Sequence, residues 1–295
     1  MSRVRLAVLI LALAGLGGLV TPAVAVASAS TAVPVLTQIR AAHHPGYDRL
    51  VFEFRGRVPT QRSARYVSQV VGPSGLPVHI VGSALLQVQF SPAAGHNTQG
   101  RITYGSARRT YALPNIIQVV NAEDLEAVLG FGVGLARREP FNMFTLTHPS
   151  RVVIDVRTPF RTVNVRDYFI DSHRVEVGRE PYARPVSRPV IPPAVAFGSL
   201  QRLFAGSTQA ERAHGLGFVA SKATGFKKLR ISDGVARVQL TGGCSSGGST
   251  ITIANEIPPT LKQFPSVHWV KIYDPAGHTT EPSGHTDSIP ECLNP

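Results

Sequence analysis

The sequence lacks several features that would define a common class of protein. After its first twenty residues it has no long apolar run, and a membrane-spanning helix needs about 20 such residues. Its ten histidines show no HxH, HxxxH or HExxH spacing, so neither a metal site nor a cofactor is predicted. No nucleic-acid-binding motif is recognisable, and no repeat of fixed period is present. From these absences we expect a soluble mature protein that has no metal site and does not bind nucleic acid.

The first residues have the pattern of a secretory signal peptide. A short basic region with Arg3 and Arg5 precedes an apolar stretch from Leu6 to Val20, and small residues follow. The prediction is a signal peptide over residues 1–29, cleaved after one of three alanines, Ala25, Ala27 or Ala29. An uncleaved membrane anchor is the alternative, which the shortness of the apolar stretch disfavours. The chain is therefore expected to be secreted or extracytoplasmic.

Only two cysteines are present, Cys244 and Cys292. An even pair in an exported protein predicts one disulfide. It would close a loop of about fifty residues, which the chain-entropy model values at a few kcal/mol. The lack of a cysteine near the predicted cleavage sites excludes a lipid attached to such a residue.

Basic side chains outnumber acidic ones by 30 to 18, and all but five of them are arginines. Residues 31–161 carry a net charge of +7 and residues 162–295 carry +3, so the first half is the more cationic. A surface of this charge attracts polyanions, which outside a bacterial cell are wall polymers and lipid headgroups.

The first half has the alternating pattern of antiparallel strands. Apolar side chains recur at every second position in three segments, residues 49–54, 85–90 and 151–156. Gly72 to Gly75 is turn material, and no long segment has helical periodicity. The simplest fold that fits this pattern, and the one we predict, is an all-β sandwich of short strands.

The second half has the pattern of an α+β domain. A strand is predicted over residues 163–170 and another over 266–274, with a helix from Pro193 to near Gly206. Thr208 and Glu211 fit a capping box, and Asp233-Gly234 marks a hairpin turn. The Pro- and Arg-rich residues 179–193 are expected to be a loop or an extended connector.

Two short stretches of the first half invite a functional interpretation that their context disfavours. His43 and His44 are neighbours on a predicted strand, so they point to opposite faces and do not share a metal. The adjacent Asp48 and Arg49 are expected to form an ion pair that fixes the first hairpin. The glycines at 130, 132 and 134 lack the context of a phosphate loop and are assigned to a strand bend.

A G-x-S-x-G match at Gly243 to Gly247 offers one enzymatic alternative. Ser245 would be the nucleophile of a hydrolase, with Asp274 and either His278 or His285 as its partners. The segment lacks the alternating strands and helices of such an enzyme and any HGGG-like donor loop. The prediction is therefore a Gly/Ser loop, no catalytic residue and no enzymatic activity.

Residues 34–160 resemble the AMIN-like domain of secreted actinobacterial proteins. The resemblance rests on "IRAAHHPGYDRLVFEFRGRVP", "DLEAVLGFGVGL" and "HPSRVVIDV". It implies a β-sandwich related to the AMIN domains that carry cell-wall amidases to the envelope, and it implies no catalytic residues.

Residues 161–276 resemble the GerMN domain, named for spore germination protein M. The resemblance rests on "VRDYFI", "LQRLFAGSTQAERAHGL", "GVARVQL", "GGCSSGGST" and "TLKQFPSVHWVKI". It implies a protein-interaction domain, and the "PECL" of residues 290–293 is similar to a variant in which a disulfide closes the tail, here residues 277–295. Two departures matter. The family usually has Gly-Pro-Thr where this chain has Gly206-Ser207-Thr208, and Pro258 and Pro259 interrupt the second helix, which must restart or kink there.

These observations predict a non-enzymatic cell-envelope protein. The AMIN-like domain would bind a wall polymer such as peptidoglycan, or an anionic membrane surface, and the GerMN-like domain would bind itself or another envelope protein. The alternative is an envelope hydrolase using Ser245, or an accessory factor of a wall amidase. Seven arginines are the predicted ligands of the anionic polymer: Arg49, Arg55, Arg57, Arg62, Arg65, Arg108 and Arg109.

Overall fold

A computed structural model describes residues 32–295 of the chain. The predicted signal peptide and its candidate cleavage sites lie outside these residues. Within residues 32–295, no helix is both long enough and apolar enough to cross a membrane.

The first half is a sandwich of two antiparallel sheets. One sheet has the strand order β1-β2-β9-β8: Val35–His44, Tyr47–Arg55, Ser150–Arg157 and Phe141–Leu146. The other has the order β3-β4-β7-β6-β5: Gln61–Val67, Ala84–Ser91, Val128–Leu135, Ile116–Leu125 and Arg108–Thr110. The three strands expected from alternation correspond to β2, β4 and β9.

The alternating residues supply the core between the two sheets. Phe52 on β2 packs edge-on against Phe90 of β4, with ring centroids 5.0 Å apart, and lies 5.2 Å from Phe131 of β7. Offset and edge-to-face ring pairs of this kind add to the stabilisation from apolar burial. The all-β sandwich predicted for this half is confirmed.

The segment between β3 and β4 covers the outward face of the five-stranded sheet. Its Val70 and Ile80 pack with Val120 in a small second core. Cβ atoms at Gly132 and Gly134 would collide with Ile80 and with the Val81 carbonyl oxygen. Gly132 and Gly134 therefore permit a close approach of this segment, a role that the predicted strand bend did not include.

The second half contains two three-stranded sheets and four short helices, in agreement with the predicted α+β class. The sheet β11-β10-β12 comprises Ala183–Val190, Val163–Asp171 and Leu216–Gly217. The sheet β13-β14-β15 comprises Ala223–Ser232, Val235–Gly242 and Trp269–Tyr273, with β14 and β15 parallel. The helices α1 to α4 are Ser172–Glu176, Val195–Ala205, Gln209–Ala213 and Ile257–Leu261.

Local sequence features set the boundaries of these elements. Helix α2 ends at Gly206, which has a φ of 84°, and α3 begins with the capping box of Thr208 and Glu211. The β13–β14 hairpin turns at Asp233 and Gly234, both at positive φ. A 3₁₀ turn at Ile253–Asn255 precedes α4, which has proline in its first turn, so the expected restart of the helix is confirmed.

The Pro- and Arg-rich connector differs from the expectation of a loop, because most of it is strand β11. All eight residues of this strand pair antiparallel with β10. Pro185 and Pro189 are four residues apart and so project their nitrogens the same way. Because β11 is an edge strand, these nitrogens face the unpaired side and the ladder loses no donor.

Cys244 and Cys292 form the predicted disulfide, with their Cα atoms 5.7 Å apart. Next to it, the Ser246 amide donates to the Cys292 carbonyl at 2.7 Å. The bond attaches the end of the tail to the loop that follows β14.

The two halves meet along β5, β6 and the C-terminal part of α2. The Ala205 carbonyl accepts hydrogen bonds from Thr110 Oγ1 at 2.5 Å and from Gln118 Nε2 at 3.2 Å. Arg202 donates to the Pro114 carbonyl at 2.9 Å. The carbonyl of Ala205, the last residue of α2, is thus satisfied by the sandwich.

Candidate functional site

The seven arginines predicted to bind an anionic polymer are distributed over separate parts of the sandwich. Arg49 lies within β2, Arg55 ends that strand and Arg57 follows it, whereas Arg62 and Arg65 belong to β3 and Arg108 and Arg109 to β5. Strands β3 and β5 are the opposite edges of the five-stranded sheet. They are separated by four inter-strand spacings, each of about 4.8 Å. The seven side chains therefore do not form one continuous patch.

The arginines of β5 are engaged within the protein. Arg108 donates to Gln118 Oε1 at 2.9 Å and to the His79 carbonyl at 2.8 Å, and burial lowers its pKa. Arg109 donates to the Tyr104 carbonyl and to Gln209 Oε1, the latter at 3.4 Å. These contacts position β5 against its surroundings and take up much of the capacity of both side chains for an external anion.

The arginines of β3 retain more freedom. Arg62 donates to the backbone carbonyls of Pro59 and Thr60, and Arg65 donates to Gln87 Oε1 at 3.2 Å. No carboxylate of the described chain forms an ion pair with either side chain. With Arg55 and Arg57, which are also exposed, they provide dispersed positive charge at the surface.

The outward face of the four-stranded sheet brings further arginines together around Arg49. The pairing register places Arg40 of β1 opposite Val51, and Arg151 of β9 opposite Glu53. Sequence reasoning missed Arg40 and Arg151 as candidate ligands. Their positions in the two-residue period of β1 and β9 were the available signal, since outward-facing residues of paired strands share one face.

Arg49 is held in place by carboxylate and aromatic contacts. Its Nε and Nη2 donate to the two carboxylate oxygens of Asp155 at 2.7 and 2.8 Å, a bidentate pair that raises the arginine pKa. The guanidinium carbon also lies 5.2 Å from the Tyr47 ring centroid and 5.4 Å from that of Phe144. These contacts leave Arg49 with limited freedom to rotate.

The other two arginines of this face differ in their partners. Arg40 Nη1 lies 3.1 Å from Glu53 Oε2 in an exposed ion pair. Arg151 donates through Nε to the Pro149 carbonyl at 3.2 Å, and within residues 32–295 no carboxylate lies at ion-pair distance from it. The terminal nitrogens of Arg151 therefore offer a cationic fork that an external anion can occupy.

A shallow pocket lies between these three arginines. Its volume is about 210 Å³, and its lining includes Val51 and Val153, whose exposed fractions are 7% and 1%. Leu146 forms part of the wall and is partly exposed. The pocket thus combines an apolar floor with a cationic rim, an arrangement suited to a ligand that is apolar at one end and anionic at the other.

Asp48 forms no ion pair with Arg49, so that prediction is wrong. As neighbours on β2, the two side chains point to opposite faces. The carboxylate of Asp48 is fully buried and accepts hydrogen bonds from the amides of Asn115 and Ile116 at 2.7 and 2.9 Å. His43 Nδ1 lies 2.8 Å from the other carboxylate oxygen. Asp48 thus anchors the start of β6 to the first hairpin, which itself forms as expected.

The histidines of the described chain form no metal centre. His43 pairs with Asp48 and His96 pairs with Asp124 at 2.8 Å, and no group of three or more His, Cys, Asp or Glu side chains with metal-binding geometry occurs in residues 32–295.

Ser245 has the contacts of a loop residue. Its hydroxyl accepts a hydrogen bond from the Gly247 amide at 3.1 Å, and its own amide donates to the Ser221 carbonyl. Asp274 instead accepts from the His278 amide at 2.8 Å. Within the described chain, neither His278 nor His285 is hydrogen-bonded to Ser245.

A second surface depression lies in the second half, between α2, β13 and residues 264–266. Its volume is about 440 Å³, and apolar side chains dominate its lining. Phe197 and Ile231 at this groove are 44% and 37% exposed. Large apolar side chains exposed beside one another are typical of interaction surfaces.

Comparison with curated proteins and with solved structures returned no match. One protein-family model does match, the one described as the AMIN-like domain, and it covers residues 34–158. The matched region begins just before β1 and ends just after β9, so it contains the complete sandwich and the arginine-rimmed pocket. Residues 34–158 are therefore similar to the AMIN-like domain, and this similarity indicates a protein associated with the cell envelope.

Proposed function

We propose that this protein is a non-enzymatic envelope protein whose AMIN-like half binds an anionic wall polymer. The match of residues 34–158 to the AMIN-like domain carries the proposal. The exposed arginines of the sandwich support it, because they leave positive charge at the surface that the protein's own carboxylates do not neutralise.

Attraction through dispersed arginines depends on ionic strength. At about 0.15 M salt the screening length is about 8 Å, and it falls to about 3 Å at 1 M. Binding that rests on Arg55, Arg57, Arg62 and Arg65 should therefore weaken steeply as salt is added.

We further propose that the second half binds a protein, either a second copy of the chain or another envelope component. The resemblance to the GerMN domain motivates this role, and the groove beside Phe197 and Ile231 supplies a suitable apolar surface. Sedimentation over a range of concentrations tests self-association. A mass increase that is lost in Phe197→Ser but retained in Leu76→Ser, which removes an exposed apolar residue elsewhere, is the expected result.

Retention on purified wall sacculi tests the wall-binding proposal. We expect the protein to sediment with sacculi at low salt and to be released at 0.5 to 1 M salt, because the contacts are ionic and exposed. A variant with Arg55, Arg57, Arg62 and Arg65 changed to Gln should bind several-fold more weakly. The control changes four lysines and arginines of the second half, Lys222, Lys227, Lys228 and Arg230, to Gln. Failure of the wild-type protein to bind at low salt would reject the proposal.

The absence of enzymatic activity has a separate test. A fluorophosphonate probe labels activated serine nucleophiles, and in residues 32–295 no histidine is hydrogen-bonded to the Ser245 hydroxyl. We expect no labelling of the native protein. Labelling that disappears in Ser245→Ala but persists in Ser246→Ala would instead favour the envelope hydrolase.

A further inference from the structure

We propose that the arginine-rimmed pocket of the four-stranded sheet binds the free carboxylate end of a short alanine-type peptide. Such ends occur on the stem peptides of bacterial wall, so the inference rests on the proposed wall-binding function and gives it a ligand. It concerns one site on one face, whereas the dispersed arginines act without a defined site.

The size and floor of the pocket indicate the kind of group that fits. At about 210 Å³ it is smaller than the roughly 300 to 1,000 Å³ of ordinary small-molecule pockets, so it accommodates a terminal group rather than a whole ligand. Val51 and Val153 form a nearly solvent-excluded floor. A methyl group placed on these valines removes its own apolar surface from water and gains packing contacts with a floor that is already almost dry.

The rim indicates the charge of that group. Three arginines face two carboxylates here, because Glu53 pairs with Arg40 and Asp155 pairs with Arg49. The excess cation is Arg151, which lacks a carboxylate partner in residues 32–295. A single carboxylate brings the rim to neutrality, and its planar oxygens match the guanidinium fork.

The floor also favours a peptide carboxylate over the phosphate of a polyol polymer. Both carry one negative charge, but a polyol phosphate would place hydroxyl groups against Val51 and Val153. Burying hydroxyl groups without hydrogen-bond partners is unfavourable. A terminal alanine instead presents a methyl group to the valines and a carboxylate to Arg151.

An NMR titration of the ¹⁵N-labelled full chain tests the proposal. The probe is diacetyl-lysyl-D-alanyl-D-alanine, compared with its C-terminal amide and with a glycerol phosphate diester, which carries one negative charge as the polymer unit does. We expect saturable shifts at the amides of residues 40–51 and 146–153 with the free acid. The amide and the glycerol phosphate diester should bind at least about tenfold more weakly, since a charge-assisted hydrogen bond is lost or the floor is mismatched.

Substitutions test whether the free acid binds at this pocket. Arg151→Ala should weaken binding of the free acid about tenfold, and Arg151→Lys should weaken it less because the charge remains. Arg157→Ala removes an equal charge from the strand that carries Arg151, outside the pocket lining, and should leave the affinity unchanged. Unaltered amide dispersion in the spectrum of each variant confirms that it folds.

Three outcomes overturn the proposal: equal binding of acid and amide, tighter binding of the glycerol phosphate diester, or shifts confined to other regions. If sacculi retain the protein but the peptide leaves the pocket unperturbed, only this inference fails. If the peptide binds but sacculi do not retain the protein, the wall-binding function fails instead.

Discussion

At the scale of single residues, Asp48 links the first hairpin to the rest of the sandwich. Its buried carboxylate serves two backbone amides of the segment that begins β6 and also contacts His43. The neighbouring Pro114 carbonyl accepts from Arg202 of the second half. Residues 114–116 are therefore hydrogen-bonded both to an aspartate of the sandwich and to an arginine of the second half.

Replacing Asp48 should destabilise the fold strongly. Asp48→Ala leaves the amides of Asn115 and Ile116 without partners in a buried site, which should lower the free energy of unfolding by about 3 kcal/mol. Glu53→Ala removes an exposed ion pair from the same strand and should cost less than about 1 kcal/mol. Urea unfolding measures both changes, and similar losses for the two variants would contradict the assigned role of Asp48.

Asp167 is a second buried carboxylate, and its environment perturbs its titration. Burial raises its pKa to about 7, against the opposing effects of the Ser199 hydroxyl, Arg188 and Arg202. Glu211 raises the pKa further, although it is itself paired with Arg188 at 2.6 Å. The second carboxylate oxygen of Asp167 has no hydrogen-bond partner, which is consistent with a protonated group.

The raised pKa of Asp167 makes stability depend on pH in a defined direction. The folded state holds this proton more tightly than the unfolded state. The proton on Asp167 therefore contributes its full share to the free energy of unfolding below about pH 4, and this share is lost as pH rises through about 7. Asp167→Asn should therefore gain stability relative to the native protein between pH 4 and 8, by up to a few kcal/mol. Urea unfolding at a series of pH values measures this difference. A constant difference between the two proteins across that range would disprove the assignment.

At the scale of elements, strand β7 needs glycine at two positions because a neighbouring segment packs closely against it. The segment that precedes β4 lies directly on the outward face of β7, and side chains at 132 and 134 would displace it. The same close packing places apolar Val70 and Ile80 over a sheet face that would otherwise be exposed.

A methyl group at position 134 should test this packing. Gly134→Ala meets the backbone of Val81, whereas Gly132→Ala meets the movable side chain of Ile80, so the first should cost more. We expect about 2 to 3 kcal/mol for Gly134→Ala, the range of overpacked cores. Gly217→Ala is the control because its new Cβ would meet no atom within 4 Å and its φ is not positive. Equal melting temperatures for the 134 and 217 variants would contradict the packing role.

The disulfide joins two elements that are far apart in the chain. Cys244 and Cys292 are separated by 48 residues, so the cross-link restricts the unfolded chain by about 4 kcal/mol in the loop-entropy model. Reduction by dithiothreitol should lower the melting temperature of the native protein and leave the Cys244→Ser/Cys292→Ser double variant unchanged. An unchanged melting temperature of the native protein after complete reduction would contradict this stabilisation.

At the scale of the whole molecule, the sandwich and the second half share a polar interface. Helix α2 forms hydrogen bonds with the sandwich through Gln201, Arg202 and the Ala205 carbonyl. Arg202 is buried there with its charge near both Asp48 and Asp167, and burial lowers its pKa to about 10. The positive charge of Arg202 therefore interacts with a buried aspartate of each half, Asp48 and Asp167.

Loss of Arg202 should accordingly affect both halves. Arg202→Met removes the cation and leaves its buried neighbours unbalanced, which should cost about 3 to 5 kcal/mol. Amide hydrogen exchange should reveal reduced protection in β6 as well as in α2. Arg212→Met, which lies on α3, is the control. Reduced protection confined to α2 would mean that the halves unfold independently.

The sequence by itself determined the local elements of this protein. Alternation in residues 49–54 and 151–156, the glycine after α2, the capping box of Thr208 and the Asp233-Gly234 turn each act within a few residues, so each could be recognised in the chain. The β-sandwich, the α+β class and the cysteine pair followed from those patterns and from the cysteine count.

Only the tertiary structure decided which side chains meet. The partner of Arg49 is Asp155, more than a hundred residues away, and Arg151 enters the pocket through the pairing of β2 with β9. The proline-rich connector becomes a strand because β10 supplies its hydrogen bonds, and the glycines of β7 are explained by a segment fifty residues earlier. Such contacts depend on strand register and packing between distant segments, which a local pattern does not encode.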